Sequence, residues 1–184
     1  MGPASGAVGQ RVIVTGMPGS GKSTFSKALS TRTGLPLIHL DLHYWKPAWV
    51  KPSDDEWRQK QRNLLVGDAW IADGNYHETL DLRLARADTI VVLATPWWLC
   101  SGRAFVRGVR RPPGTVMPDG CDDSVTQRVR DEWRMVWVNW RDRRKEPERE
   151  RAIISEHGPH AALHVLGSKR AARAFLDACG PGGA

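Results

Sequence analysis

The stretch GMPGSGKST, residues 16–24, follows the apolar run VIV at residues 12–14. It fits the pattern G-x-x-x-x-G-K-[ST], with Gly16, Gly21, Lys22 and Ser23 at the fixed places. Glycines let the chain curl so that successive backbone N–H groups converge on one anion, and a following helix adds its positive end. The stretch therefore predicts a phosphate-binding loop between a buried strand and a helix.

The lysine and the hydroxyl that end this pattern make the anion more specific. Lys22 is expected to reach the β- and γ-phosphates of a nucleoside triphosphate, and the Ser23 hydroxyl to bind Mg²⁺. The cofactors predicted are thus ATP and Mg²⁺. The whole loop is expected to bind them, through Gly16, Pro18, Gly19, Ser20, Gly21, Lys22, Ser23 and Thr24.

Length and composition suit one globular domain of 184 residues, of which 41% are apolar. The sequence has neither a membrane-length apolar run nor the apolar core of a secretory signal, and its three cysteines are scattered, so a reduced, cytoplasmic location is expected. The net charge of +7 suggests acidic partners such as nucleotides, phosphorylated metabolites or nucleic acid. Residues 1–10 are interpreted as a disordered lead-in, and residues 179–184 as a flexible tail.

Strand-like runs alternate with helix-like ones, which is typical of a parallel α/β sheet. The expected strands are VIVT, PLIHLD (ending at Asp41), WIADG, DTIVVLAT and ALHVLG.

Ser53 and Glu56 have capping-box spacing at the start of one helix, and an apolar stripe with Trp133, Trp137 and Trp140 marks a long one. Trp57, Trp70, Trp133 and Trp137 are expected in the core, and Pro147 is expected to interrupt a charged stretch. A Pro/Gly-rich loop at about 108–124 is interpreted as a lid.

Two features near the predicted loop invite a functional interpretation, each with a plainer alternative. Asp73 ends the third strand, where a Walker-B carboxylate would hold the magnesium shell; alternatively it belongs to an ordinary Asp-Gly turn. Four arginines after the fourth strand have no acidic neighbour nearby, so they suit a clamp on a transferring phosphoryl group; alternatively they form a solvated face. These arginines are Arg103, Arg107, Arg110 and Arg111.

Over nearly its whole length the chain resembles the small nucleoside-monophosphate-kinase-like P-loop proteins. The stretches DLHYWKPAW, WIADGNY and DLRLARADTIVVL resemble most closely the adenylate-kinase-like group labelled DNA topology modulation proteins. The resemblance implies a three-layer P-loop NTPase fold with a five-stranded parallel sheet and a small lid. It also implies Asp73 as the Walker-B acid, the four arginines as lid-side phosphate contacts, and Gly167 and Ser168 near the adenine.

The acceptor half of the site departs from adenylate kinases. Those enzymes follow the Asp-Gly pair with Phe-Pro-Arg, which binds the acceptor phosphate, whereas this chain has Asn75-Tyr76-His77. The expected arginine of the acceptor-side helix is also missing. An acceptor without a phosphate, or with another kind of phosphate, is therefore compatible with the sequence. The residues assigned to the substrate are Asp41, His43, Trp45, Trp49, Gly74, Asn75 and Tyr76.

Asp41 is expected to orient an attacking hydroxyl, because ligands bind beyond the carboxyl ends of parallel strands; a helix cap or turn is the alternative. Trp45 and Trp49 could stack on a base or sugar, or form a small aromatic core under a loop. With Lys22, Arg107 and Arg110, Asp41 completes the predicted catalytic set.

Two functions compete on this basis. The first is an ATP-dependent phosphotransferase acting on a nucleoside, nucleotide or similar hydroxylated metabolite, as a monomer or homodimer. The second is an ATP-binding, nucleic-acid-associated regulator with little or no kinase activity, in which the basic stretches VRGVRR and RDRRKEPERER contact phosphates. However, RDRRKEPERER also carries four acids, and the sequence has no helix-turn-helix, zinc-finger or RNA-binding signature. The kinase is therefore favoured.

Overall fold

The computed structural model describes residues 8–109, 121 and 125–180. The predicted lid at about 108–124, including Arg110 and Arg111, lies mostly outside these residues, as does the side chain of Arg107. In the part of the chain that is described, no helix has the length and apolar character needed to cross a membrane.

The centre of the molecule is a parallel sheet of five strands, as the sequence predicts. The strands are β1 (Arg11–Thr15), β2 (Leu37–His39), β3 (Trp70–Asp73), β4 (Thr89–Leu93) and β5 (Ala162–Leu166). Their order across the sheet is β2-β3-β1-β4-β5. The central strand β1 therefore carries the glycine-rich loop at its carboxyl end, with the end of β3 on one side and the end of β4 on the other.

Helices cover both faces of this sheet, which gives the predicted α/β architecture. They are α1 (Lys22–Thr33), α2 (Leu40–Tyr44), α3 (Asp54–Leu64), α4 (Leu80–Leu84), α5 (Trp97–Val109), α6 (Val125–Asp142), α7 (Lys145–His157) and α8 (Lys169–Ala178). Short 3-10 turns at Pro47–Trp49 and His77–Thr79 complete the described elements.

Alternate residues of the strands build two hydrophobic clusters, one on each face. Val12 and Val14 point to the face that Phe25 of α1 helps to cover, whereas Ile13 points to the face covered by Leu84 of α4 and by α7. Burial on both faces explains why these strands are continuous apolar runs. The start of α3 also confirms the capping box, because Ser53 and Glu56 exchange hydrogen bonds of 2.8 and 3.3 Å.

Two expectations about individual elements are wrong. Strand β2 ends at His39, so Asp41 lies in the first turn of α2 rather than at the end of the strand. Pro147 does not interrupt a helix, because it lies in the first turn of α7, where a proline needs no backbone hydrogen-bond donor. The helical chain is broken earlier, at residues 143 and 144.

The tryptophans of the α6 stripe are not core. Trp57 and Trp70 are buried as expected, but the side chains of Trp133 and Trp137 are 55% and 53% exposed. Phe105 of α5 contacts Trp133 edge-on at 5.5 Å, and the guanidinium of Arg141 lies 4.7 Å from the ring centre of Trp137. Because α6 packs against α5 away from the sheet, only part of its stripe is covered.

Residues near both ends of the described chain contact the rest of the fold, which the sequence does not predict. The backbone N–H of Gly9 donates to Thr89 at 3.0 Å, and Gln10 donates to Asp88 at 3.0 Å, although both residues were assigned to the lead-in. Cys179, assigned to the tail, packs against the cluster beneath α1 and α8. Residues 1–7 and 181–184 lie outside the described chain.

Candidate active site

The glycine-rich loop between β1 and α1 has the conformation that its sequence requires. Gly16 and Gly19 have φ angles of 139° and 84°, which favour glycine. A Cβ at Gly16 would lie 2.6 Å from the carbonyl oxygen of Leu93, and one at Gly19 would lie 2.3 Å from that of Cys100. Larger residues are thus excluded by β4 and α5, which press against the loop from outside.

Side chains hold five successive carbonyl groups of this loop. Lys22 Nζ donates to the oxygens of Gly16 (2.6 Å) and Met17 (3.2 Å). Asn139 of α6 donates to Pro18 at 3.1 Å. Arg103 of α5 donates to Gly19 (3.3 Å) and Ser20 (3.1 Å), and the Thr95 hydroxyl also donates to Ser20. With its carbonyls engaged by the protein, the loop can offer its N–H groups and the start of α1 to an anion.

Lys22 lies among carboxylates. Burial lowers the pKa of its ammonium, and the negative charges of Asp73, Asp41 and Glu150 act in the opposite direction. The three carboxylates come from β3, α2 and α7, so the fold gathers distant parts of the sequence around one cation. A triphosphate entering the loop would give this ammonium a stronger anionic partner than the two carbonyls it contacts now.

Asp73 ends β3 directly beside β1, pairing in register with Val14. The carboxylate is 4% exposed, and its Oδ2 lies 2.9 Å from His39 Nδ1. Its Oδ1 is buried and has no hydrogen-bond partner. A buried carboxylate oxygen without a partner is costly unless water or a cation completes it.

The residues present fit a magnesium ion held together with a nucleotide. Ser23 is exposed in the first turn of α1, and Asp73 supplies the unpartnered oxygen. Within the described residues no cluster of three or more His, Cys, Asp or Glu side chains could hold a metal by itself. That arrangement suits Mg²⁺, which usually keeps several waters and binds through one or two protein groups plus phosphates.

The acceptor side of the predicted site is organised around Asp41 and Tyr76. The phenol of Tyr76 donates to Asp41 Oδ1 at 2.8 Å, which joins α2 to the segment after β3. Burial, and the charge and hydrogen bond of Asp41, raise the pKa of Tyr76, so the phenol keeps its proton and remains a donor. Gly74 has a φ of 149°, and a Cβ there would lie 3.0 Å from Leu40.

Aromatic rings line the same segment. Tyr44 packs against Tyr76 at 4.6 Å, against Trp57 at 5.0 Å and against Trp45 at 5.1 Å between ring centres. Trp45 in turn contacts Trp49 edge-on at 5.5 Å. The rings form the small aromatic core that was one of the two alternatives, and this core buries Trp57. Trp45 and Trp49 are half-buried, and their stacking on a base or sugar stays a prediction.

A buried arginine that the sequence analysis missed holds the acceptor loop. Arg83 of α4 is fully buried and donates to the carbonyls of Gly74 (2.7 Å), Asn75 (2.7 Å) and Tyr76 (2.9 Å). Burial lowers its pKa to about 10, so the guanidinium stays charged at neutral pH. The available signal was an arginine between two leucines, Leu82 and Leu84, in a short helix, and it gave no indication of the loop it binds.

A second missed group links α7 to the loop. His77 is buried, with its Nδ1 3.0 Å from Glu146 and its Nε2 3.8 Å from Glu150. Glu150 also accepts a hydrogen bond from the hydroxyl of Thr15, the last residue before Gly16. The spacing of Glu146 and Glu150 places both on one face of a helix, but nothing in the sequence indicated that His77 lies opposite them.

The roles of the other predicted residues stay predictions, and the structure shows their present contacts. Gly167 and Ser168 are exposed after β5, and the Ser168 hydroxyl caps α8 by accepting from Ala171 N–H at 3.1 Å. His43 is half-buried, and burial together with the charge of Lys60 lowers its pKa. The guanidinium of Arg103 contacts loop carbonyls. Arg107, Arg110 and Arg111 stay predictions, because their side chains lie outside the described part.

Comparison with known proteins identifies the fold and nothing narrower. The shikimate kinase of Acinetobacter baumannii, solved with shikimate, superposes with a TM-score of 0.55, covers 92% of this chain and 89% of its own, and is 18% identical. The Aquifex aeolicus shikimate kinase has a TM-score of 0.49 at 17% identity (91% and 95% covered). An unliganded sugar kinase from Janibacter sp. has the same TM-score and identity (92% and 91% covered).

No protein-family model matches this sequence, and no curated protein matches it. The comparisons therefore do not confirm the resemblance to the adenylate-kinase-like DNA topology modulation group. They support only the fold that this resemblance implies, because the five-stranded parallel sheet flanked by helices matches the P-loop fold of shikimate kinase.

Proposed function

We propose that this protein is a P-loop phosphotransferase that moves the γ-phosphoryl group of ATP to a hydroxyl of a small acceptor. One observation carries the proposal: Lys22 begins the helix after β1, Asp73 ends the neighbouring strand β3 and Asp41 follows β2, so all three lie at the carboxyl ends of adjacent parallel strands. A phosphate-binding cation, a carboxylate suited to a magnesium shell and a carboxylate suited to an attacking hydroxyl thus share one edge of the sheet.

Each side chain has a stated task in this proposal. The loop N–H groups and Lys22 bind the β- and γ-phosphates and neutralise the charge that develops during transfer. Asn139 and Arg103 hold the loop carbonyls and so orient those N–H groups. Asp41 orients the acceptor hydroxyl and takes its proton, while Tyr76 holds Asp41 in place.

Magnesium would be held by Ser23 and, through water, by Asp73, and it would supply positive charge at the phosphates. Arg107, Arg110 and Arg111 are proposed to add positive charge from the lid. A lid that closes over the site would exclude water, which otherwise competes with the acceptor for the phosphoryl group.

The test is ADP release from Mg-ATP in the presence of nucleosides, nucleoside monophosphates, sugars and hydroxy acids, one at a time. We expect ADP release that depends on one class of acceptor and that disappears in Lys22→Ala. Release at the same rate with and without every acceptor would contradict a phosphotransferase.

A nucleic-acid-associated regulator is the second candidate, and the exposed surface of α6 favours it. Trp133 and Trp137 are about half exposed, and Arg141 stacks on Trp137. Rings and guanidinium groups of this kind bind single-stranded nucleic acid in other proteins. Binding to the phosphate backbone would weaken steeply between low and moderate salt, whereas acceptor-dependent ADP release should change little.

A further inference from the structure

The acceptor side of the site has an excess of negative charge in the part of the chain that is described. Asp41 is exposed in the first turn of α2, and its carboxylate is bonded to an uncharged phenol, that of Tyr76. Asp73 ends β3, which pairs with β2, the strand that leads into α2. An acceptor that approaches Asp41 therefore meets a carboxylate whose charge is not cancelled by an ion pair among these residues.

Two of the described cations that could bind an anionic acceptor are paired with carboxylates. Arg58 forms two bonds with Asp81, of 2.6 and 3.2 Å. Lys46 donates to both carboxylate oxygens of Glu56, at 2.8 and 3.0 Å, and this pairing, with a bond from Ser53 N–H, lowers the pKa of Glu56 to about 2.

Arg83 is unavailable for a different reason. It is fully buried, and its two terminal nitrogens donate to the carbonyls of residues 74–76. Lys60 is exposed on α3. Burial lowers the pKa of His43, and the positive charges of Lys60 and His39 lower it further, so the imidazole stays mainly neutral near pH 7 and adds no positive charge to this side.

A chain of half-buried aromatic rings extends from Asp41. Tyr76 bonds to Asp41, Tyr44 packs against Tyr76 and Trp45, and Trp45 contacts Trp49. Ring faces bind flat bases and the C–H faces of sugars without needing charge on the ligand.

We propose that the acceptor is an uncharged, hydroxylated molecule with one apolar face, such as a nucleoside or a free sugar, and that Asp41 excludes its phosphorylated or carboxylated counterparts. The inference rests on the proposed phosphotransferase function and narrows its substrate. In the reaction, the acceptor oxygen bonds to the γ-phosphorus as the bond to the β–γ bridging oxygen breaks. The hydroxyl proton passes to Asp41, and ADP leaves with the bridging oxygen.

The experiment compares matched pairs of acceptors that differ in one anionic group: a nucleoside with its 5′-monophosphate, a free sugar with its 6-phosphate, and a polyol with the corresponding hydroxy acid. We expect kcat/KM for the neutral member of at least one pair to exceed that of its anionic partner by about 100-fold, because like charges placed together cost several kcal/mol. The nucleoside and sugar arms distinguish the two sources of this chemistry.

Asp41→Asn provides the second measurement, because it removes the negative charge and keeps the shape. We expect it to lower kcat for the neutral acceptor and also to shrink the difference in KM between neutral and anionic partners. The matched control is Asp68→Asn, on a fully exposed carboxylate outside the site, which should leave both quantities unchanged. Circular dichroism of both variants checks that they fold.

Failures of the two proposals are distinguishable. If ADP release responds to acceptors but the phosphorylated or carboxylated members are preferred, the phosphotransferase stands and the neutral-acceptor inference is wrong. That result would direct attention to Lys60 and to the predicted lid arginines as anion-binding groups. If no acceptor of either kind stimulates ADP release, the phosphotransferase itself is contradicted. An unchanged preference in Asp41→Asn would show that Asp41 does not select the acceptor.

Discussion

At the scale of single residues, the site is built from groups whose burial would be costly without the ligand. Asp73 has a buried oxygen with no partner, and Lys22 is held among carbonyls and carboxylates with a lowered pKa. Neither arrangement is the most stable that these positions could have. Functional sites commonly retain such costs, because the same groups then bind a substrate or cofactor strongly.

Replacing Lys22 by alanine should separate function from stability. We expect a loss of ADP release of about 100- to 1,000-fold, since a positioned donor at developing charge contributes on that scale. The melting temperature should stay equal or rise, because burial opposes the charged ammonium in the folded protein. The control is Lys27→Ala, at an exposed position of the same helix. Unaltered turnover in Lys22→Ala would contradict the assignment of the loop.

Arg83 is expected to stabilise the fold by holding the loop at residues 74–76. Arg83→Met keeps much of the volume but leaves three carbonyl groups of residues 74–76 without their donor. We expect a loss of about 2–4 kcal/mol in the free energy of unfolding, because each buried polar group left unpaired costs about 1–3 kcal/mol. Denaturant unfolding measures it, with exposed Arg62→Met as the control; equal stabilities would contradict this role.

At the level of secondary-structure elements, α5 and α6 pack against each other and also contact the glycine-rich loop. Arg103 from α5 and Asn139 from α6 contact successive carbonyls of the glycine-rich loop. These two helices flank the predicted lid. Both helices therefore help to hold the glycine-rich loop.

Asn139→Ala tests this contact. Asn139 is 1% exposed, and its removal leaves the Pro18 carbonyl without a donor. We expect KM for ATP to rise several-fold and the free energy of unfolding to fall by about 1 kcal/mol, the usual net value of one hydrogen bond. Asn63→Ala, at an exposed position of α3, is the matched control and should change neither the KM for ATP nor the free energy of unfolding. A loss of stability without any change in KM would make the contact merely structural.

Sequence patterns predicted the elements better than their contacts. Five strands, the glycine-rich loop and the Ser53 capping box follow from local rules of spacing and side-chain chemistry. The position of Asp41 was missed by a short distance, because an apolar run does not show where a strand gives way to a helical turn. Trp133 was misassigned because a helical stripe shows which face is apolar but not whether a partner covers it.

At the scale of the whole molecule, a buried charged network joins distant parts of the chain. His77 follows the acceptor loop, Glu146 and Glu150 belong to α7, and Thr15 ends β1. No local pattern could reveal this network, because its members are up to 135 positions apart in sequence. Long-range polar contacts of this kind depend on the packing of the completed fold.

The network predicts a dependence of stability on pH. Burial disfavours the charge on His77, but the hydrogen bonds and charges of Glu146 and Glu150 outweigh it and raise its pKa from 6.5 to about 9. The stabilisation is therefore fully present below pH 6.5 and is lost as the pH rises through about 9. Thr15, which bonds to Glu150, stays neutral throughout. Arg83, whose pKa is about 10, stays mostly charged up to about pH 9 and is the same in wild type and His77→Gln, so the difference between the two curves reports His77.

Thermal unfolding between pH 6 and pH 10 measures this effect. We expect the melting temperature of the wild type to fall across pH 7–9.5 more steeply than that of His77→Gln, which lacks the titrating group. His157→Gln, at a largely exposed histidine of α7, should behave like the wild type. Parallel curves for wild type and His77→Gln would show that His77 is not held protonated by the two glutamates.

The central claim is that a phosphoryl group leaves ATP and arrives on a small acceptor. Its most direct test follows both products at once: ADP by coupled assay, and the acceptor by mass spectrometry, with Lys22→Ala as the blank. We expect one neutral acceptor to gain a single phosphoryl group, with one molecule of phosphorylated acceptor formed for each ADP. Formation of inorganic phosphate in place of a phosphorylated acceptor, or tight ATP binding without any transfer, would contradict it.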